Sequence, residues 1–216
     1  MLSVAEPTDS VDFVALAART GGARASRDAL LQIGVVLVRN FRIVDGALLW
    51  VADRYGQVDP ARVNLGSNSM QDHRRLAQSP FECLTHLTSM IAGFKTYVGP
   101  DGVSRAVMAG FKLDFVKRFL QRLGHIAGDS KWADDEFNRY TNLDVVQLMR
   151  TLAILGVAHG GEFTLRSLAR SFGIVHDPAH GARSEAETVA KIVIKMRRAM
   201  QASGLSFDVR QEGPCE

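Results

Sequence analysis

The side chains here with the chemistry to bind or react are mostly cations set beside short polar groups. The apolar run Phe13–Ala18 ends on Arg19-Thr20-Gly21-Gly22. Lys112 and Lys117 bracket the start of a second apolar segment, and His180 and Arg183 precede the acid Glu185. A guanidinium contacts phosphate bidentately and an ammonium does so as a point charge, and neither needs a metal. The acids weighed beside these cations are Asp114, Asp144 and Glu185. A hard divalent cation needs several carboxylate oxygens at short range. Cys83 and Cys215 lie far apart and form no CxxC unit, which speaks against a zinc site and for a reducing compartment.

Phe13–Gly22 resembles the first motif of the DEDDh 3′–5′ exonucleases, the proofreading-subunit and RNase T-like family. That motif runs apolar-apolar-apolar-Asp-x-Glu-Thr-Thr-Gly. Ala17 stands at the Asp position and Arg19 at the Glu position; Thr20 and Gly22 fit, and Gly21 departs. The second family motif, His-Asn-x-x-Phe-Asp-x-x-Phe-Leu, is similar to the stretch from Phe111 to Leu120. Phe115, Phe119 and Leu120 match, while Phe111, Lys112 and Val116 replace the His, the Asn and the metal-binding Asp. The third, His-x-Ala-x-x-Asp-Ala, resembles His180-Gly181-Ala182-Arg183-Ser184-Glu185-Ala186, with the family's general-base His kept and its Asp replaced by Glu185. Asp144 before a helix resembles the Asp-Thr-Leu strand end between these motifs. The resemblance covers roughly residues 12–200.

The resemblance implies an α/β, RNase H-like fold: a mixed five-stranded sheet with helices packed on it. It also implies lost chemistry. The family hydrolyses phosphodiesters with two divalent metals that activate water. With Ala17, Arg19 and Val116 in place of acids, only Glu185 remains of four carboxylates, and Asp114, two residues from Val116 at a helix start, points elsewhere. Ala17, Arg19, Val116 and Glu185 carry no net charge without metal. The site residues so implied are Arg19, Thr20, Lys112, Lys117, Arg183 and His180 for ligand binding, with Arg24 and Arg27 fringing the same cleft. No residue is assigned to catalysis, His180 and Glu185 being vestigial, and no metal or other cofactor is expected.

The elements that must position these groups can be read along the chain. Residues 1–11 read as a flexible arm, 12–203 as one domain and 204–216 as a mobile tail. Strands are predicted over Asp12–Leu16, Leu30–Val38, Arg42–Val51 and Val103–Ala109, with a short one near Thr141–Asp144. Leu30–Val38 is a near-continuous β-branched run, typical of a strand buried on both faces. Residues 55–70 read as loop. Ser79-Pro80-Phe81-Glu82 is a helix start with a capping box, and that helix runs to about Ala92. Leu113–Leu123 is helical and stopped by Gly124. Residues 126–140 read as polar loop with Trp132 as a packing anchor. Thr164 caps a helix ending near Gly173. The last helix starts near Gly181, with Ala182, Ala186, Val189, Val193, Met196 and Met200 as its core stripe and Lys191, Lys195, Arg197 and Arg198 on its outer face.

The 216 residues suffice for one sizeable domain. At 46% hydrophobic and 23% charged the chain is not a disordered one. A net charge of +3 permits an anionic partner without demanding one. With no signal core and no membrane-length apolar run, a soluble, cytoplasmic protein is expected, with no membrane contact. The leading functional expectation is a pseudoenzyme that binds a nucleotide, a cyclic or linear dinucleotide, or a single-stranded nucleic-acid end in the former active-site cleft. Two alternatives stand beside it. One is a structural subunit with a protein partner or a homodimer, its cleft closed by Phe111 and an Arg19–Glu185 pair. The other is a weak exonuclease using His180, Glu185, Asp114 or Asp144 with one rearranged metal.

Overall fold

A computed structural model describes residues 12–138, 141–154 and 163–202; the expected arm at 1–11 and tail at 204–216 lie outside the described residues. Three strands open the chain: β1 (Phe13–Thr20), β2 (Leu30–Arg39) and β3 (Arg42–Trp50). Each pairs antiparallel with its neighbour, and β2 and β3 turn at Asn40–Phe41, both at positive φ. Two short strands, β4 (Tyr97–Val98) and β5 (Ser104–Arg105), form a separate two-stranded hairpin. Strands β6 (Met108–Gly110) and β7 (Leu143–Asp144) then join the main sheet in parallel. The result is a five-stranded mixed sheet in the order β3-β2-β1-β6-β7. The single strand expected over Val103–Ala109 is thus two. Arg105 holds Asp101 with two bonds of 2.8 Å across the hairpin, and the chain joins the main sheet only from Met108.

The helices are α1 (Met70–Leu76), α2 (Pro80–Ile91), α3 (Leu113–Ile126), α4 (Trp132–Glu136), α5 (Val145–Ile154), α6 (Leu165–Ser171) and α7 (Gly181–Ala202). Alternation along β1 divides the core. Val14 and Leu16 pack toward α2, α3 and α4, whereas Phe13, Ala15 and Ala17 pack toward α5, α6 and α7. β2 is buried along almost its whole length, as its β-branched run requires.

Local chemistry sets the helix starts. Ser79 with Glu82 caps α2, and Thr164 with Ser167 caps α6. Ser69 and Asp72 make a further capping box on α1, inside and just after the stretch read as loop. Gly124 does not end α3, which runs on to Ile126 because a Cβ-free residue is needed where the backbone of Asp129 crosses; a Cβ there would meet Asp129 O at 2.6 Å. Trp132 is buried in α4 rather than in a loop, and its indole N–H donates to Thr88 Oγ1 at 2.8 Å. The predicted stripe of α7 is buried from Ala182 to Met196, with Met200 packed at its edge.

α7 sits unusually close to β2. A Cβ on Gly34 would lie 2.0 Å from Ala182 O, so only glycine allows the contact. The buried Gln32, one step along β2's same face, accepts from Ala182 N at 3.2 Å and satisfies the first turn of α7. These two contacts fix the helix that carries Glu185 over the end of β1. No helix among the described residues is long and apolar enough to cross a membrane.

Candidate functional site

Arg19 is the last in-facing residue of β1 and is only 6% exposed. Both terminal nitrogens of its guanidinium are committed. Nη1 donates to Asn64 O at 2.7 Å and to Asn64 Oδ1; Nη2 donates to Pro178 O at 3.0 Å and to Glu185 Oε1 at 2.9 Å. Asn64 is held in turn by the tight turn at Gly66, whose N–H donates to Asn64 Oδ1 at 3.0 Å at a φ of +74°. One cation thereby ties β1, the loop before α1, the turn before α7 and α7 itself. Burial pushes the Glu185 carboxyl above the ordinary carboxylate range, and the Arg19 charge and hydrogen bond pull it back only in part.

The metals that the resemblance would bring to this place do not fit the residues present. Ala17 and Val116 offer methyl groups and are nearly buried, at 8% and 3% exposed. Among the described residues Glu185 is the sole carboxylate on the cavity they share, and its Oε1 is taken by Arg19. Among the described residues no group of three or more His, Cys, Asp or Glu side chains comes together. Asp144 is committed elsewhere. It lies at the end of β7, accepts from Leu113 N at 2.7 Å and from Val146 N at 2.8 Å, and so caps both α3 and α5. His180, in a short 3₁₀ turn, is 77% exposed with Nδ1 at 2.8 Å from Asp177 Oδ2, and it does not line the cavity that Glu185 borders. Cys83 offers no nucleophile, because burial pushes its thiol up to about 12.

Two adjoining depressions open beside the pair, and Lys112 and Phe115 line both. The smaller, about 370 Å³, is walled by Leu16, Ala17, Phe111, Val116, Leu165 and Val189, with Glu185 as its acid. The larger, about 620 Å³, presents the cations Arg24, Lys112, Arg118 and Arg150 against the two acids Asp114 and Asp144. The charge of Asp144 is already met by the two helix N-termini it caps. Lys112, Arg118 and Arg150 are exposed and enter no ion pair among the described residues. Lys112 has left-handed backbone at a φ of +52°, with its ammonium 5.5 Å from the centre of the Phe111 ring.

The structure thus divides the residues singled out from the sequence. Arg19 meets Glu185, the pairing weighed as its structural role, and Lys112 faces the open groove. Thr20 turns its hydroxyl onto Gly22 O at 2.6 Å. The half-buried Lys117, the exposed Arg183 and His180 line neither depression. Phe111 borders the smaller cavity instead of closing it, and Asp114 faces the larger one, away from Glu185. Sequence reasoning missed Asn64, Arg122 and Arg150. Arg122 clamps the loop carrying Arg24, donating to Ala25 O at 2.7 Å, Asp28 O at 2.9 Å and Tyr55 O at 2.7 Å. Nothing in the sequence near these residues indicates their partners, which are distant in the chain.

No family model matches the sequence, and neither does any curated protein. Among solved structures, E. coli exonuclease I in complex with a dT13 oligonucleotide superimposes with a TM-score of 0.67 at 13% identity, over 89% of this chain and 42% of that one. A product-bound exonuclease I structure gives 0.67 at 14% over 88% and 45%, and the zinc-bound form of the E. coli enzyme with single-stranded DNA gives 0.66 at 17% over 88% and 40%. The chain spans less than half the length of these proteins, and at such identity the likeness is one of fold. The chain therefore carries the RNase H-like, mixed-sheet fold of the DEDDh exonuclease I.

Proposed function

We propose that the protein binds the end of a single-stranded nucleic acid, without metal and without hydrolysing it, in the groove beside the former active site. Nucleotides and cyclic dinucleotides are the smaller ligands of the same chemistry. The observation that carries this reading is the Arg19–Glu185 pair at 2.9 Å. It occupies the acid Glu185 with a buried guanidinium, while Lys112 and Arg118, which enter no ion pair among the described residues, line the open groove next to it. Direct charge-assisted contacts to phosphate then do what metal-bridged contacts do in an exonuclease. The complexes of exonuclease I with a dT13 oligonucleotide and with single-stranded DNA support a nucleic acid as the ligand class. Of the residues singled out from the sequence, Lys112 and Arg24 stay in this reading as phosphate contacts, now joined by Arg118 and Arg150.

The test is fluorescence anisotropy of a labelled single-stranded oligonucleotide in EDTA across a salt series. Binding should weaken with salt by a log–log slope of about −0.7 per neutralised phosphate. Lys112→Ala and Arg118→Ala should each lower the affinity and make the slope shallower by about 0.7. Metal-dependent release of mononucleotides would overturn the reading, as would affinity unchanged in both variants.

A second reading, a structural subunit with a vestigial cleft, rests on the same buried pair, since both terminal nitrogens of Arg19 are engaged with protein acceptors. It expects no ligand of this class in the groove, and the same anisotropy experiment separates the two.

A further inference from the structure

The smaller depression has the wrong lining for a phosphate. Leu16, Ala17, Phe111, Phe115, Val116 and Leu165 give it an apolar wall. Its acid is Glu185, and its cation, Lys112, sits where it meets the larger groove. Arg19 cannot turn to help, because both terminal nitrogens are held by Asn64, Pro178 and Glu185. A phosphate pushed inward would leave water to face an anion and phenyl rings, which is costly. An uncharged planar ring meets the opposite conditions. At about 370 Å³ the pocket is at the small end of ligand sites, which run from about 300 to 1,000 Å³. Two phenylalanines border it, and Glu185 Oε2 accepts no hydrogen bond among the described residues.

We propose that this pocket takes a terminal nucleobase, ring inward, so that the base stands where the metals of an active exonuclease would and the phosphates lie outside. The base packs against Phe111 and Phe115. An amino group on its edge donates to Glu185 Oε2. The first phosphate meets Lys112, and the chain continues over Arg118 and Arg150 in the larger groove. Adenine, cytosine and guanine present such an amino group; thymine and uracil offer a single N–H flanked by two carbonyl oxygens, which a carboxylate repels. This inference rests on the proposed binding function and adds the orientation and the preference.

The experiment compares a short oligodeoxyadenylate with the same strand carrying abasic residues at both ends, in EDTA, by competition against a labelled strand. The intact strand should bind at least about tenfold more tightly, within the range that base–aromatic stacking contributes. Oligothymidylate should fall between the two. Val116→Phe fills the pocket and should remove the difference while leaving the affinity of the abasic strand in place. A terminal 2-aminopurine should lose fluorescence on binding to the wild-type protein, a readout that stands if the filled variant fails to fold. Equal affinity for intact and abasic strands, or no change in 2-aminopurine emission, would overturn the base pocket while leaving the groove as a phosphate site. Absence of binding by either strand would remove both readings.

Discussion

Replacing Arg19 with alanine should destabilise the protein by about 3 kcal/mol. Arg19 is 6% exposed and its partner Glu185 is 26% exposed in side chain. Removing one member of a buried pair costs about 3–5 kcal/mol, because the other charge stays behind unpaired. Access of water to Glu185 reduces that share to about 2 kcal/mol. The carbonyls of Asn64 and Pro178 lose donors at 2.7 and 3.0 Å, which adds about 1 kcal/mol. For a chain of this size the melting temperature should fall by about 6–12 °C. Urea titration of the wild type, Arg19→Ala, Glu185→Leu and the double variant gives the coupling directly. Arg19→Ala should be the worst of the three, the double variant should recover part of its loss, and the coupling should be about 2 kcal/mol. A cost below about 1 kcal/mol for Arg19→Ala, or a double variant equal to the sum of the singles, would show that the pair does not hold β1 to α7.

Three further outcomes follow from the same geometry. Burial raises the Glu185 carboxyl above its ordinary 4.5, so the folded chain holds its proton longer than the unfolded chain does, and this residue's contribution to stability falls as pH rises through that window; the difference in urea midpoint between wild type and Glu185→Gln should therefore vary with pH between 4.5 and the raised value, and a constant difference would contradict it. Gly34→Ala puts a methyl 2.0 Å from the backbone oxygen of Ala182 and should cost about 3 kcal/mol in urea titration, with a loss under about 1 kcal/mol showing that α7 can lift freely. Combining Ala17→Asp, Arg19→Glu and Val116→Asp returns four carboxylates to the site with Glu185; the variant should melt lower than wild type in EDTA and recover in millimolar Mn²⁺, as wild type should not, and no Mn²⁺ shift would show that the backbone no longer has the metal-binding arrangement.

Strong local signals were legible in the chain. The β-branched run of β2, the Ser79–Glu82 capping box and the apolar stripe of α7 each encode their element in adjacent residues, since backbone geometry imposes periods of two and 3.6. The motif fragments around Ala17, Phe115 and Glu185 carried the fold through resemblance, and the sheet order agrees with it. Weaker local signals misled. Gly124 looks like a helix stop, yet its role is to let the backbone of Asp129 pass. Val103–Ala109 looks like one strand, yet the Arg105–Asp101 clamp bends it into a separate hairpin.

What the sequence determined by itself was the identity of the groups at the old site: two methyl-bearing residues, one guanidinium and one carboxylate at the positions of four acids. Which way those groups face was decided only by the tertiary structure. Asn64, Pro178 and Glu185 stand 45, 159 and 166 residues from Arg19, and no local pattern records that they converge on one guanidinium. Asp144 reads as a candidate ligand until the N-termini of α3 and α5 are seen to claim both of its oxygens. Arg118 and Arg150 lie 32 residues apart on two helices, and they line one groove because β6 and β7 pair in parallel and bring the starts of α3 and α5 side by side. Side-chain type is local information, whereas convergence follows from chain crossings far apart in sequence, so the shape of the remaining site could not be read from residue identities.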